Sequence, residues 1–316
     1  MNSLIFEQVT SALTVKSICS PMGPEILSGT SLDDLEGMSC HGHMPFDNPA
    51  RIIDSEGNTI GVAWFEDYYF EADDEQRPYF INDVMRDLEP NCLLSSNTTI
   101  LDAVELFTAK GSKYFYVIDV NKIVGVLSYK DLFKPIGRIA FFSLALEIED
   151  LALKLCQFPK VAEECWLSIP DKRKLESLKI FKKRYKRKPR LRGEMRDRIS
   201  DIELRTETEE PGERLSLPEA HVDPAKRKFD LLWLVACTPL ADKATMIWNQ
   251  KLIPHTSRTY LLKFFGDLET IRNSCAHPGH DGPLLAQDRL ADFVSSAIQM
   301  RKSLQQALQN CAEEPV

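Results

Sequence analysis

Arg272, Asn273 and His277 stand in the run Ile271 to His280, IRNSCAHPGH, and these residue types suit one reaction in particular. Cleaving an RNA backbone without a metal needs a group that moves protons near neutral pH, which histidine does. It needs as well a fixed cation where negative charge builds up on phosphorus, which arginine supplies in bidentate form. Asn273 stands next to Arg272, where it can orient either group by hydrogen bonding, and Glu147 and His280 are accessory candidates. Five residues of helix turn a side chain through about 140°, so Arg272 and His277 do not share a helix face. They converge in one of two ways. Either the helix ends near Cys275, as Pro278 and Gly279 permit, or two subunits pool their residues. The same run also reads as an ordinary helix end, with a histidine near the negative pole of the helix dipole.

A second group with chemistry lies earlier, in Gly125-Val126-Leu127-Ser128-Tyr129-Lys130-Asp131. A carboxylate at the start of a helix can accept both hydroxyls of a ribose, and the adjoining backbone and hydroxyl groups suit a phosphate. The stretch closes one copy of a repeat. Residues 52–67, IIDSEGNTIGVAWFED, and residues 117–131, VIDVNKIVGVLSYKD, each give a strand ending in Asp, a tight turn, a second strand through Gly-Val, and an Asp opening the next element. Gly61 and Asp67 repeat Gly125 and Asp131, but Trp64 stands where Ser128 has a hydroxyl. A third group is basic: Lys172 to Arg198 holds fourteen Lys or Arg against three acids, and it includes Lys182, Lys183, Arg184, Lys186, Arg187 and Lys188. Such a run fits the phosphates of RNA, and it fits a solvated helix face as well.

The elements that must position these groups follow from periodicity. Thr98 and Thr99 precede Ile100, Ala103, Val104 and Phe107 at helical spacing, which predicts a capped helix. In residues 137–157, Phe141, Leu144, Ile148, Leu151 and Leu155 recur every three or four positions and predict a long amphipathic helix, with Glu147 beside its apolar stripe. A polar, acidic, proline-bearing stretch at 200–225 reads as a loop. Helices are expected near 226–237, 241–251, 257–275 and 284–310, the last with Leu290, Phe293, Ala297 and Leu304 on a face suited to packing or dimerisation. A strand-bearing repeat at 1–136, followed by an all-α region at 137–316, makes an α+β domain and a helical bundle.

Composition sets the class. The 316 residues are 43% hydrophobic and 27% charged, as in an ordinary soluble protein. The formal charge of −8 is segregated: residues 1–90 carry seventeen acids against four Lys or Arg, so only the middle of the chain suits a polyanion. The start of the chain lacks a basic and then apolar run, so no secretory signal is expected. The eight cysteines include no C-x-x-C pair, which favours reduced thiols in a cytoplasm over a zinc site. His41-Gly42-His43 reads as a loop, and no metal is expected.

Two resemblances give these patterns names. The region from about Val84 to Phe133 resembles a cystathionine-β-synthase (CBS) domain, through Val84-Met85, Thr99-Ile100, Asp102-Ala103 and the closing Gly125 to Asp131. The family's G-h-x-[ST]-x-x-D pattern is matched at every position there. The resemblance implies that Ser128 contacts a phosphate and Asp131 a ribose, with an adenine nucleotide as regulatory ligand. Asp67 is carried over from the first copy, which departs from the pattern at Trp64. The all-α region, with R-N-x-x-x-H late in a helix, resembles the HEPN (higher eukaryotes and prokaryotes nucleotide-binding) family, whose ribonuclease members carry R-x(4–6)-H, often in a site shared by two protomers. Together they imply a nucleotide-regulated, metal-independent endoribonuclease working as a homodimer and requiring no catalytic cofactor. His277 would move the proton, Arg272 would neutralise the phosphorane, and the products would be a 2′,3′-cyclic phosphate and a 5′-hydroxyl. Two other readings stand beside it: a non-catalytic nucleotide-sensing and dimerising regulatory protein, and an accessory domain of a nucleotidyltransferase system.

Overall fold

The computed structural model describes residues 3–39, 48–64, 79–186, 232, 234–277 and 287–313. They fall into two compact units, one within 2–143 and 285–294, the other within 144–284 and 295–316. Asp67, Arg187, Lys188, His280, the His41–His43 pair and the polar stretch at 200–225 lie outside the described residues.

The first unit is built twice from one plan. In chain order it contains α1 (Ser3–Ala12), β1 (Ser20–Pro21), β2 (Glu25–Leu27), α2 (Leu32–Ser39), β3 (Ala50–Ile53), β4 (Thr59–Ala63), α3 (Ile81–Val84), β5 (Arg86–Asp87), β6 (Leu93–Ser95), α4 (Ile100–Lys110), β7 (Tyr114–Asp119) and β8 (Lys122–Ser128). One sheet has the order β2-β3-β4-β5, the other β6-β7-β8-β1. Each begins with a parallel pair bridged by a helix, β2–α2–β3 or β6–α4–β7, and continues through two antiparallel pairings. The outer short strand is exchanged: β1 precedes the first copy but completes the second sheet, and β5 precedes the second copy but completes the first. This exchange laces the two copies together, because neither sheet is complete without a segment from ahead of the other.

Alternation explains what each sheet buries. On one face of the first sheet, Ile26, Ala50, Ile52 and Ala63 pack with Leu32, Leu35 and Ile81 of its helices. From its other face, Val62 meets Tyr116, Ile123 and Val126 of the second sheet. In α4 the hydroxyl of Thr99 caps the helix by accepting from the Asp102 amide at 3.2 Å, and Ile100, Ala103, Val104 and Phe107 are buried. That is the expected face.

The two repeated glycines stand where the exchanged strands cross, and they differ in what confines them. A Cβ on Gly125 would lie 2.5 Å from the Ser20 carbonyl oxygen, on the backbone of β1. A Cβ on Gly61 would lie 2.4 Å from the Met85 Cγ, a flexible side chain, with the Arg86 carbonyl oxygen at 2.9 Å. Overpacking costs about 1–3 kcal/mol, depending on what can yield. Gly125→Ala is therefore expected at the upper end of that range and Gly61→Ala at the lower end. Urea unfolding of the two variants checks the order, and equal midpoints would refute it.

After β8, a 3-10 turn (Tyr129–Phe133) leads into the long helix α5 (Pro135–Cys156). The expected domain boundary at 136/137 lies in the first turn of α5, and the division between the units falls at 143/144 within the same helix. The second unit continues with α6 (Ala162–Leu167), α7 (Asp171–Lys186), α8 (Leu240–Asn249), α9 (Arg258–Ala276) and α10 (Gln287–Glu313), whose first turns belong to the other unit. Residues 234–236, in the region expected as a helix at 226–237, are helical. The α5 stripe Phe141, Leu144, Ile148, Leu151 and Leu155 is buried, as are Leu290, Phe293, Ala297 and Leu304 of α10. That α10 face is thus used for packing inside the chain. α8 packs on α9 and on α6. Among the described residues, no helix is long and apolar enough to cross a membrane.

Candidate functional site

Where β8 turns into the 3-10 segment, the chain doubles back so that Asp131 faces Ser128. Asp131 is 6% exposed, and its Oδ2 accepts from the Ser128 amide at 2.6 Å and the Ser128 hydroxyl at 2.8 Å. The other oxygen, Oδ1, accepts from the Ser20 hydroxyl at 3.0 Å and from the Lys134 ammonium at 2.8 Å. Lys134 also donates to the Ile18 carbonyl at 2.7 Å and to Ser20 Oγ at 3.1 Å. Cys19 sits beside them, and burial pushes its thiol above the usual range, against the pull of Lys134. The close approach of β1 that Gly125 permits brings Cys19 and Ser20 to this spot.

Sequence reasoning names Ser128 and Asp131 and misses Ser20 and Lys134. Lys134 had a local signal, since an acid and a base three apart on a helical turn commonly pair. Ser20 had none, being 111 residues from Asp131.

The corresponding place in the first copy is filled differently. Trp64 donates from Nε1 to the Tyr116 hydroxyl at 3.0 Å, and its ring lies 4.7 Å from that of Tyr114. The Tyr114 hydroxyl accepts from Arg86 at 3.1 Å. Where the second copy gathers a carboxylate, two hydroxyls and an ammonium, the first packs an indole against two phenols of the other sheet.

In the helical unit, α9 runs unbroken through Ala276, one residue beyond Cys275, and His277 leaves it with extended backbone angles. Arg272 donates through Nη1 to Glu149 Oε1 at 2.5 Å, and its Nη2 lies 3.6 Å from Glu269. Nε and Nη2 also reach Asn273 Oδ1, at 3.3 and 3.1 Å. Burial raises the Glu149 carboxyl above its usual range, opposed chiefly by Arg272. His277 is exposed, and among the described residues no hydrogen bond links its side chain to Arg272. The structure thus brings Arg272 and Asn273 together, adds Glu149, and leaves His277 at the helix end. Glu147, 1% exposed, faces Arg301 at 3.4 Å, which makes it part of a buried ion pair.

The basic run forms α7 as far as Lys186. Arg173 pairs with Glu176 at 2.9 Å and Lys174 with Asp171 at 3.0 Å, so these two charges are engaged within the unit. Lys183 is exposed, whereas the side chains of Lys182, Arg184 and Lys186 lie outside the described residues.

Two copies of one α/β plan, laced by exchanged strands, with a carboxylate–hydroxyl cluster closing the second, define the class of domain. Residues 81–138 match the family model described as CBS domain, and this part of the chain is a CBS domain. Solved structures are similar to part of the chain. An uncharacterized conserved protein from Pyrococcus horikoshii is 17% identical, with 39% of this chain and 92% of that one covered and a TM-score of 0.32. CBSX2 in complex with AMP is 18% identical, covering 40% and 98%, with a TM-score of 0.30. The CBS domain of a bacterial CNNM/CorC family Mg2+ transporter in complex with ATP is 14% identical, covering 43% and 95%, with a TM-score of 0.31. No curated protein matches this chain.

Proposed function

We propose that this protein is a nucleotide-sensing regulatory protein whose two α/β copies act as a CBS pair and bind one adenine nucleotide per chain, at Asp131. The observation that carries the reading is the closing stretch of the CBS domain, folded so that the Ser128 hydroxyl and the Asp131 carboxylate meet at 2.8 Å at one strand end. A ribose diol needs acceptors held in that way, and a phosphate suits the adjoining hydroxyl and amide. The single site follows from Trp64, whose indole is already engaged by Tyr114 and Tyr116.

A thermal-shift screen of ATP, ADP, AMP, NAD and S-adenosylmethionine tests this. A ligand at a hundred times its Kd stabilises the folded state by about 2.7 kcal/mol. In a chain of this size that is a rise in Tm of roughly 5 °C. Asp131→Asn is expected to abolish the rise. A panel without any shift, or a shift that survives Asp131→Asn, would overturn the reading.

A second, catalytic reading rests on one specific contact: Asn273 holds the Arg272 guanidinium through two nitrogens, as an orienting amide would. In that reading a homodimer cleaves RNA without a metal, with His277 of one protomer completing the site of the other and α7 holding the RNA backbone. Its test is cleavage of RNA by purified protein in EDTA. Arg272→Lys and His277→Ala should each lower the rate by about 10²–10⁴, and mixing the two variants should restore part of it. Absent or unaltered cleavage leaves the regulatory reading alone.

A further inference from the structure

The Asp131 cluster is closed on itself, and the way it is closed points to a residue that sets ligand choice. An ionised carboxylate has about four acceptor positions and an ammonium three donors. Here the four positions are taken by the Ser128 amide and hydroxyl, the Ser20 hydroxyl and Lys134. The three donors of Lys134 go to Asp131, the Ile18 carbonyl and Ser20. A ribose brings two hydroxyl donors to the same carboxylate, so two present donors must leave. The Ser128 amide is fixed by the backbone and the Ser128 hydroxyl turns away at little cost, while the Ser20 hydroxyl is held between Asp131 and Lys134. Lys134 is the donor that carries charge, and with its side chain 42% exposed it has room to swing outward.

We propose that Lys134 makes the Asp131 site selective for phosphorylated over unphosphorylated nucleosides, by giving up the carboxylate to the incoming ribose and taking the ligand's phosphate in exchange. This rests on the nucleotide-site reading and adds the regulation of access to it. An unphosphorylated nucleoside displaces the ammonium and offers it nothing. A nucleotide replaces one anionic partner by another, and charge-assisted contacts are the stronger kind. Lys134 is therefore both the latch on the empty site and part of the filled one.

Calorimetric titration of the full chain with AMP, ATP and adenosine tests the proposal in the wild type, Lys134→Met and Lys134→Arg. The wild type should bind at least one of the two nucleotides ten or more times more tightly than adenosine. Lys134→Met should reduce that ratio at least fivefold, by weakening the nucleotide and strengthening adenosine, while Lys134→Arg keeps it. A ratio unchanged in Lys134→Met, with binding intact, overturns the role of Lys134 and leaves the site reading standing. Absence of binding by all three ligands to the wild type overturns both. If Lys134→Met does not fold, the wild type alone decides. Nucleotide affinity should fall with ionic strength while adenosine affinity holds or rises, and parallel salt dependences would refute the exchange.

Discussion

Replacing Arg301 by methionine is expected to destabilise the helical unit by about 3–5 kcal/mol, the usual cost of removing one partner from a buried ion pair. Glu147 lies on α5 between Leu144 and Ile148, both fully buried, and is itself 1% exposed. Arg301, on α10, brings its guanidinium to 3.4 Å from that carboxylate. Methionine keeps most of the length and apolar volume of the arginine stem, so packing is largely preserved and the change isolates the charge. Glu147 is buried, so losing that cation leaves its carboxylate with a larger uncompensated desolvation cost. The double variant Glu147→Met with Arg301→Met is expected to recover most of the loss, because a hydrophobic pair of similar volume often matches a buried ion pair. Urea unfolding of the three proteins makes the cycle. A single variant as stable as the wild type would show that Arg301 is a solvated neighbour and not the partner of Glu147.

Gly137→Ala presents two opposed expectations, and their magnitudes decide between them. Within a helix, alanine is favoured over glycine by about 0.8–1.0 kcal/mol, so helix propensity alone predicts stabilisation of the first turn of α5. The surroundings say otherwise. A Cβ at residue 137 would lie 2.0 Å from the Leu132 carbonyl oxygen and 2.7 Å from its carbonyl carbon. Both are backbone atoms, and Leu132 is fully buried next to Asp131 in the 3-10 turn. Relief requires moving that turn, which carries Asp131, or the start of α5, which follows Lys134. Overpacking of this severity belongs at or above the top of the usual range, about 3 kcal/mol, well beyond the gain from propensity. The variant should unfold at lower urea and lose the nucleotide-induced thermal shift together with it. Greater stability in Gly137→Ala would mean that the turn yields easily and that the junction is not a rigid support for the site.

Much of this protein was legible from local pattern. The repeat, the capped helix at Thr99, the stripes on α5 and α10 and the late helix ending beside His277 all follow from periodicities that backbone geometry imposes on any chain. Ser128 and Asp131 were legible through the resemblance of Gly125 to Asp131 to a CBS closing pattern, and the turn that follows β8 brings the hydroxyl and the carboxylate to 2.8 Å. The partners were not. Ser20 reaches Asp131 across 111 residues, Glu149 reaches Arg272 across 123 and Arg301 reaches Glu147 across 154. Which charges meet over such distances depends on how whole elements pack, and packing is set by the sum of many apolar contacts that no single spacing encodes. The same holds for Gly125 and Gly137, whose missing side chains matter only because a distant strand or a neighbouring turn comes within 2.5 Å of where a Cβ would stand. It holds also for Trp64, a departure from the pattern in the sequence and, once the two sheets face each other, a strut between them that accounts for the missing hydroxyl.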